Sequence, residues 1–237
     1  MKYPVLLPNI FDHPFTYNSS FKLKAGDYVN VPFGKKTITG VVWDKFEKNN
    51  NKKFKIRSIY EKLNIQPLKK EIINFLNWFS NYNLVPLGMA LKLHLLSGNA
   101  IEQQKKNEYQ KYQIVTNKEK YNLSNKQEKV FKELVKKDNF FRVHLLQGTT
   151  GSGKTIVYFK AVEKIINQQK QTLILLPEIG LTGEFEKKFK NFFGFEAAVW
   201  HSKITPKKKK IIWSGLAAGQ IKVVIGARSS LFLPFQK

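Results

Sequence analysis

The spacing of hydrophobic residues changes along this chain. Between residues 2 and 61 apolar positions come in short runs, YPVLL, FTYN, YVNVPF, TITGVVW and FKIRSIYE, separated by clusters of Pro, Gly, Asn and Lys. Runs of this length bounded by turn residues predict short strands curled into a small barrel or sheet. NNNKK at 49–53 is a loop by composition. From Pro67 the period becomes helical. Leu68, Ile72, Phe75, Leu76 and Phe79 fall on one stripe, and Pro86 can open a second helix through LGMALKLHLLSG, closed by Gly98.

Residues 99–122 carry Gln, Lys, Asn and Glu with few apolar anchors, which predicts a linker or an exposed strand and helix. Beyond residue 123 strand and helix alternate. VHLLQG precedes a helix beginning after Thr155, TLILLP one near 181–193, EAAVWHS one near 206–218, and IKVVIG ends the series. That alternation predicts an α/β lobe with a parallel sheet and helices on both faces. The chain thus divides into a β-rich α+β domain (1–98), a linker (99–122) and an α/β lobe (123–237).

The turn between the first strand and helix of that lobe carries candidate chemistry. GTTGSGKT satisfies the phosphate-loop pattern through Gly148, Gly153, Lys154 and Thr155. Its backbone N–H groups, from Gly148 through Thr149, Thr150, Gly151, Ser152 and Gly153, can close on phosphate oxygens, Lys154 can reach the β and γ phosphates, and the Thr155 hydroxyl can meet Mg²⁺. Apolar Val143, Leu145 and Leu146 lead in, and Ile156, Phe159, Val162 and Ile166 follow at helical spacing. The helix N-terminus adds partial positive charge to the anion site. This predicts nucleotide binding with Mg²⁺.

Composition narrows the setting. Hydrophobic residues at 42% and aromatics at 14% exclude wholesale disorder. No run of 18 apolar residues suggests a membrane span, and Pro4, Pro8 and Asp12 interrupt the N-terminus too early for a secretory signal. Without cysteine there is no disulfide framework and no thiolate metal site, so the cytosol is the expected compartment. His13, His94, His144 and His201 show no ligand spacing. The net charge of +24 suggests a polyanionic partner, although an excess made almost entirely of lysine is also what an AT-rich coding sequence produces. The run Lys207–Lys210 reads as a solvated helix face.

A phosphate loop alone leaves kinases, transporters and helicases open. LLPEIGLT (175–182), WHS (200–202) and IGARSSLFLPF (225–235) together resemble the first, RecA-like motor lobe of the PriA family of replication-restart helicases, in superfamily 2. LSNKQ (123–127) is similar to that lobe's first motif, with Gln127 where a glutamine reads the adenine edge. LPNIFDHPFTY and AGDYVNVPFGKKTITGVV resemble the family's domain for the 3′ end of a nascent strand. The resemblance implies that Phe11, Asp12, Gly34 and Lys55 line the pocket for the terminal nucleotide, and that Thr182, Arg228 and Ser229 grip the single-strand backbone. Taken alone, Phe11 reads as a core residue, Asp12 as a turn cap and Arg228 as part of a surface ion pair.

What the resemblance implies for activity is an ATP-dependent 3′ to 5′ DNA helicase acting on forked DNA and nascent 3′ ends, with primosome and single-strand-binding proteins as partners, in the bacterial cytoplasm near the nucleoid. Two departures stand out. Residues 99–122 are too few for the family's winged helix, and the chain stops where an acidic DExH box should follow. The second lobe, its arginine finger and a cysteine-rich zinc module would also lie downstream, so zinc is expected only there. The expectation for this chain is weak nucleotide binding without useful hydrolysis or unwinding. A DNA-end-binding fragment without catalysis, or an unrelated P-loop enzyme such as a small-molecule kinase, are the alternatives.

Overall fold

The computed structural model describes residues 1–45, 56–96, 106–113, 121–136, 141–177 and 183–236. The elements begin with β1 (Lys2–Leu6), β2 (Phe15–Asn18), β3 (Tyr28–Phe33), β4 (Lys36–Val42), β5 (Glu61–Lys62), α1 (Lys70–Asn83) and α2 (Leu87–Leu95). They continue with α3 (Asn125–Leu134), α4 (Lys154–Asn167), β6 (Thr172–Leu175), α5 (Gly183–Phe193), β7 (Ala198–Trp200), α6 (Pro206–Ala217) and β8 (Val223–Gly226). Short 3-10 turns cover Lys106–Tyr112 and Arg228–Phe232.

Two compact units emerge, and they do not follow chain order. The first gathers Met1–Lys105 with Lys203–Ala218 and Leu231–Gln236; the second holds Lys106–Ser202 with Gly219–Ser230.

In the first unit the strands pair antiparallel in the order β2-β1-β4-β3-β5. Alternation along them buries Val5, Leu7, Tyr17, Val29, Val31 and Val42 in one cluster. Residues 56–61, the described part of the FKIRSIYE run, close the curl. Asn18 N–H donates to Arg57 O at 2.9 Å, Ile59 N–H to Asn18 O at 2.8 Å and Tyr60 N–H to Asn30 O at 2.9 Å, so this segment ties β2 to β3 and leaves little free edge. The NNNKK stretch and Gly98 lie outside the described residues. Helix α1 ends at Leu84, in the left-handed region at φ 53°, and Pro86 opens α2 as expected. α6, expected beside the parallel sheet, belongs to this unit and buries Ile212, Trp213 and Leu216, worth about 2 kcal/mol apiece in apolar transfer.

The second unit holds a parallel sheet in the order β6-β8-β7, with Ile174 opposite Ile225 and Val199 opposite Ile225. Its core is phenylalanine-rich. Phe159, Val162 and Ile166 of α4 meet Phe189, Phe192, Phe193 and Phe195, with Val223 and Ile225 of the central strand beneath. Residues 106–112, expected as an exposed linker, form a 3-10 turn that buries Tyr109 and Tyr112.

The lead-in to the phosphate loop also departs from expectation. VHLLQG, expected as a buried strand leading into the phosphate loop, joins no strand among the described residues, and Val143 and Leu145 are 83% and 90% exposed. A strand apolar on both faces is stable only with neighbours on both flanks and layers above and below, and the described residues supply neither.

Candidate functional site

Two regions concentrate the candidate residues. The first lies on the β-rich unit, where the Asn9–Asp12 loop docks onto the start of α2. Helix α2 has no side-chain cap from its own N-cap residue, Pro86. Asp12 supplies it from 75 residues away, its Oδ1 accepting from the Leu87 N–H at 2.7 Å, while the Gly88 N–H donates to Phe11 O at 3.0 Å. Glycine is required at 88, because a Cβ there would sit 2.6 Å from the carbonyl oxygens of Leu7 and Asn9. Asn9 Oδ1 accepts from the Phe11 N–H at 3.0 Å and completes the loop. One carboxylate oxygen of the exposed Asp12 is thereby committed and the other is left at the surface.

Phe11 is 40% exposed, so it is not the core residue its type suggests. Its ring stands edge-on to Phe15 at 5.3 Å and to Phe33 at 6.4 Å, with His13 at 5.8 Å. This aromatic wall offers a face on which a base can stack. Phe33 ends β3, and Gly34 follows at φ 59° in the two-residue hairpin to Lys36, with open space where a Cβ would be. Arg57 Nη1 donates to Gly34 O at 2.9 Å. The Tyr17 phenol nearby is pushed up by burial, and the Arg57 charge opposes that rise. Lys55 lies outside the described residues. His13, Phe15, Phe33 and Arg57 therefore share this region without having been singled out from the sequence; the one available signal was the density of aromatics flanking Asp12.

The second region is the phosphate loop on the α/β unit. Gly151 and Gly153 both have positive φ, 81° and 79°, and Gly153 serves as N-cap of α4 without any side-chain bond. Ile156 and Val157 N–H donate to Gly153 O at 3.1 and 3.4 Å, while the Lys154 and Thr155 amides ahead of them meet no side-chain cap and can serve an exogenous anion. Lys154 Nζ folds back on the loop and donates to Gly148 O at 2.6 Å and Thr149 O at 2.8 Å, contacts it can exchange for phosphate oxygens. Ser152 N–H donates to Thr149 O at 3.2 Å, which keeps Thr150 at the tip of the turn. Gln127 reaches the same loop. It forms a capping box with Ser124 at the start of α3, and its Nε2 donates to Ser152 O at 3.3 Å. A Cβ on Gly153 would overlap that Nε2. Thr155, in the first turn of α4, is partly buried. The positive φ of Gly151 and Gly153 and the reach of Lys154 fit the phosphates of a nucleoside triphosphate.

At the end of β8 the chain turns tightly. Ser230 Oγ donates to Ala227 O at 2.5 Å, Ala227 N–H donates to Trp200 O at 3.1 Å, and Gly226 leaves no room for a Cβ beside Ser230 Oγ. This buried frame leaves Arg228 and Ser229 exposed at the C-terminal end of the central strand, where ligands bind in open α/β sheets. Thr182 lies outside the described residues. Among the described residues no group of His, Cys, Asp or Glu could hold a metal ion, and no helix is long and apolar enough to cross a membrane.

Comparison with known proteins fits both regions. Residues 4–95 match a family model described as 3′DNA-binding domain, and residues 120–237 one described as type III restriction enzyme, res subunit. The replication restart protein PriA of Rickettsia conorii is 36% identical over 234 residues, covering 98% of this chain and 35% of the relative. Over nearly its whole length the chain is similar to PriA proteins. The PriA of Helicobacter pylori is 32% identical over 228 residues, with 94% of this chain and 33% of the relative covered. With the PriA of Haemophilus influenzae the identity is 29% over 306 aligned positions, 98% of this chain and 42% of the relative. That alignment is longer than the chain itself, so this relative carries additional residues inside the matched span. The chain spans about a third of the length of the PriA relatives from Rickettsia and Helicobacter.

Proposed function

We propose that this chain carries the 3′-end-binding module and a nucleotide-binding portion of the motor of an ATP-dependent 3′ to 5′ DNA helicase, one that recognises stalled forks and starts primosome assembly. The observation that carries the reading is the Asn9–Asp12 loop fixed on α2, which presents an exposed Phe11 ring beside a carboxylate oxygen. Phe11 stacks on the terminal base and Asp12 accepts from the 3′ hydroxyl, while Gly34 allows close approach and Lys55 meets a phosphate. Gly148–Thr155 hold ATP, Thr155 meets its Mg²⁺, Gln127 reads the adenine edge, and Thr182, Arg228 and Ser229 contact the backbone of single-stranded DNA. The bound nucleotide supplies phosphoryl-transfer free energy to the motor. Primosome and single-strand-binding proteins are the protein partners this reading assigns, and zinc belongs to parts of the whole protein outside this chain.

A second reading, end binding without turnover, is favoured by one observation, the exposure of Val143 and Leu145 in a segment that joins no strand among the described residues.

Substitution at position 12 tests the end-binding reading without undoing the fold. Asp12→Asn keeps an amide oxygen for the Leu87 N–H but removes the carboxylate, so affinity for a primed template should fall about tenfold, equivalent to 1.4 kcal/mol, with little change in Tm. Phe11→Ala should weaken binding by a similar factor through lost stacking, about 1–3 kcal/mol. Equal affinity of both variants and the parent in an anisotropy titration contradicts the reading.

A further inference from the structure

Helix α2 holds a separate part of the first unit at each end. Its first turn carries the Asn9–Asp12 loop through Leu87 and Gly88. Its last turn carries His94, which is 1% exposed and bonded at both ring nitrogens. Nδ1 lies 2.7 Å from Phe232 O and Nε2 lies 2.8 Å from the Tyr28 hydroxyl. A carbonyl oxygen only accepts, so Nδ1 carries the proton, and Nε2 of the neutral ring accepts from the Tyr28 O–H. Burial lowers the His94 pKa to about 4 against the opposing bond to Phe232, which keeps the ring neutral and the tautomer fixed.

The same residue binds a third segment through its backbone. The His94 carbonyl accepts from Trp213 Nε1 at 2.8 Å, and the Trp213 ring stands edge-on to both His94 and Tyr28 at 5.6 Å. Phe232 is held in turn by Phe75 at 5.3 Å and Phe79 at 4.9 Å on α1. Phe232 closes the 3-10 turn that opens at Arg228. One buried imidazole therefore joins β3, α2 and the stretch after β8, and its backbone adds α6.

We propose that α2 is a strut coupling occupancy of the 3′-end pocket to the order of the Arg228–Phe232 turn, with His94 as the positioning residue that transmits the coupling. This rests on the end-binding reading above. A helix of nine residues, about 13 Å long, is not stable by itself and keeps its fold through packing, the burial of Ala90 and Leu91 at its middle together with what its two ends hold. Opening α2 releases the Asp12 loop and the Phe232 anchor together. A DNA end that binds only the docked loop raises the cost of that opening, and so orders the Phe232 end as well. By linkage, anything that fixes Phe232 favours the docked loop equally.

Hydrogen exchange on the whole chain tests this, with a dinucleotide ending in a free 3′ hydroxyl and the same dinucleotide ending in a 3′ phosphate as probes. The hydroxyl form should slow exchange about fivefold or more in peptides covering residues 7–15 and also in those covering 226–236. The second response should vanish in His94→Leu, which cannot donate to Phe232, and return in His94→Asn, whose amide can. If His94→Leu does not fold, Phe79→Ala takes its place, because it removes the ring that stands 4.9 Å from Phe232 and so loosens the same anchor. Protection at 7–15 with none at 226–236 overturns the coupling and leaves the end-binding reading intact. A second response of equal size in the parent and in the variant that breaks the relay also overturns it. No hydroxyl-specific protection at 7–15 overturns the end-binding reading, and the coupling falls with it.

Discussion

Asp12 and His94 illustrate how much a single residue's role depends on partners far along the chain. Asp12 was legible as a cap by its type, but not as the cap of a helix that begins 75 residues later. His94 showed no ligand spacing, and nothing local marks it as the junction of four segments. Its burial has a consequence that can be measured. The folded ring takes a proton only near pH 4, whereas in the unfolded chain it does so near 6.5. Below pH 6.5 the unfolded state binds the proton first, so stability is lost as pH falls through this window. Urea denaturation should show about 2 kcal/mol less stability at pH 5 than at pH 7 from this residue, and His94→Gln should lack that contribution. Equal pH dependence in the two proteins contradicts the account. The buried Tyr28 phenol, pushed up by desolvation, stays neutral throughout.

At the scale of elements, the strands of the barrel were legible because turn residues bound them and alternation fixes which face is buried. YVNVPF coincides with β3, and residues 56–61 of FKIRSIYE close the sheet that run was expected to belong to. VHLLQG was misleading for a physical reason: its composition reports a two-sided burial that only neighbouring strands can provide. The phosphate loop itself is better defined. Gly153 must be glycine twice over, once for its φ of 79° and once for the Gln127 amide lying against it. Gly153→Ala should therefore cost about 1–2 kcal/mol of left-handed strain and displace Gln127, weakening the binding of a fluorescent ATP analogue about tenfold. Unchanged affinity would mean that the loop does not hold the nucleotide in this conformation.

For the whole molecule, the change in hydrophobic period predicts an α/β lobe from residue 123, whereas the second unit begins at Lys106, and α6 and the residues after Ser230 belong to the first unit. No periodicity reveals this, because the second half of α6 is buried on every side from Ile212 to Ala217 and so shows no face, and Trp213 finds its acceptor, the His94 carbonyl, 119 residues away. The net charge of +24 supplies an affinity for any DNA, and that part weakens steeply as salt rises. What charge cannot supply is a preference between two ends of nearly equal charge. The most direct test of the account is therefore anisotropy binding of the chain to a forked DNA whose nascent leading strand ends in a 3′ hydroxyl or a 3′ phosphate, at fixed salt. The account predicts tighter binding to the hydroxyl, by about tenfold, and the same ratio when salt is raised although both affinities fall. Equal binding to the two ends at every salt concentration would show that lysine charge alone carries the affinity and would contradict the pocket built on Phe11 and Asp12.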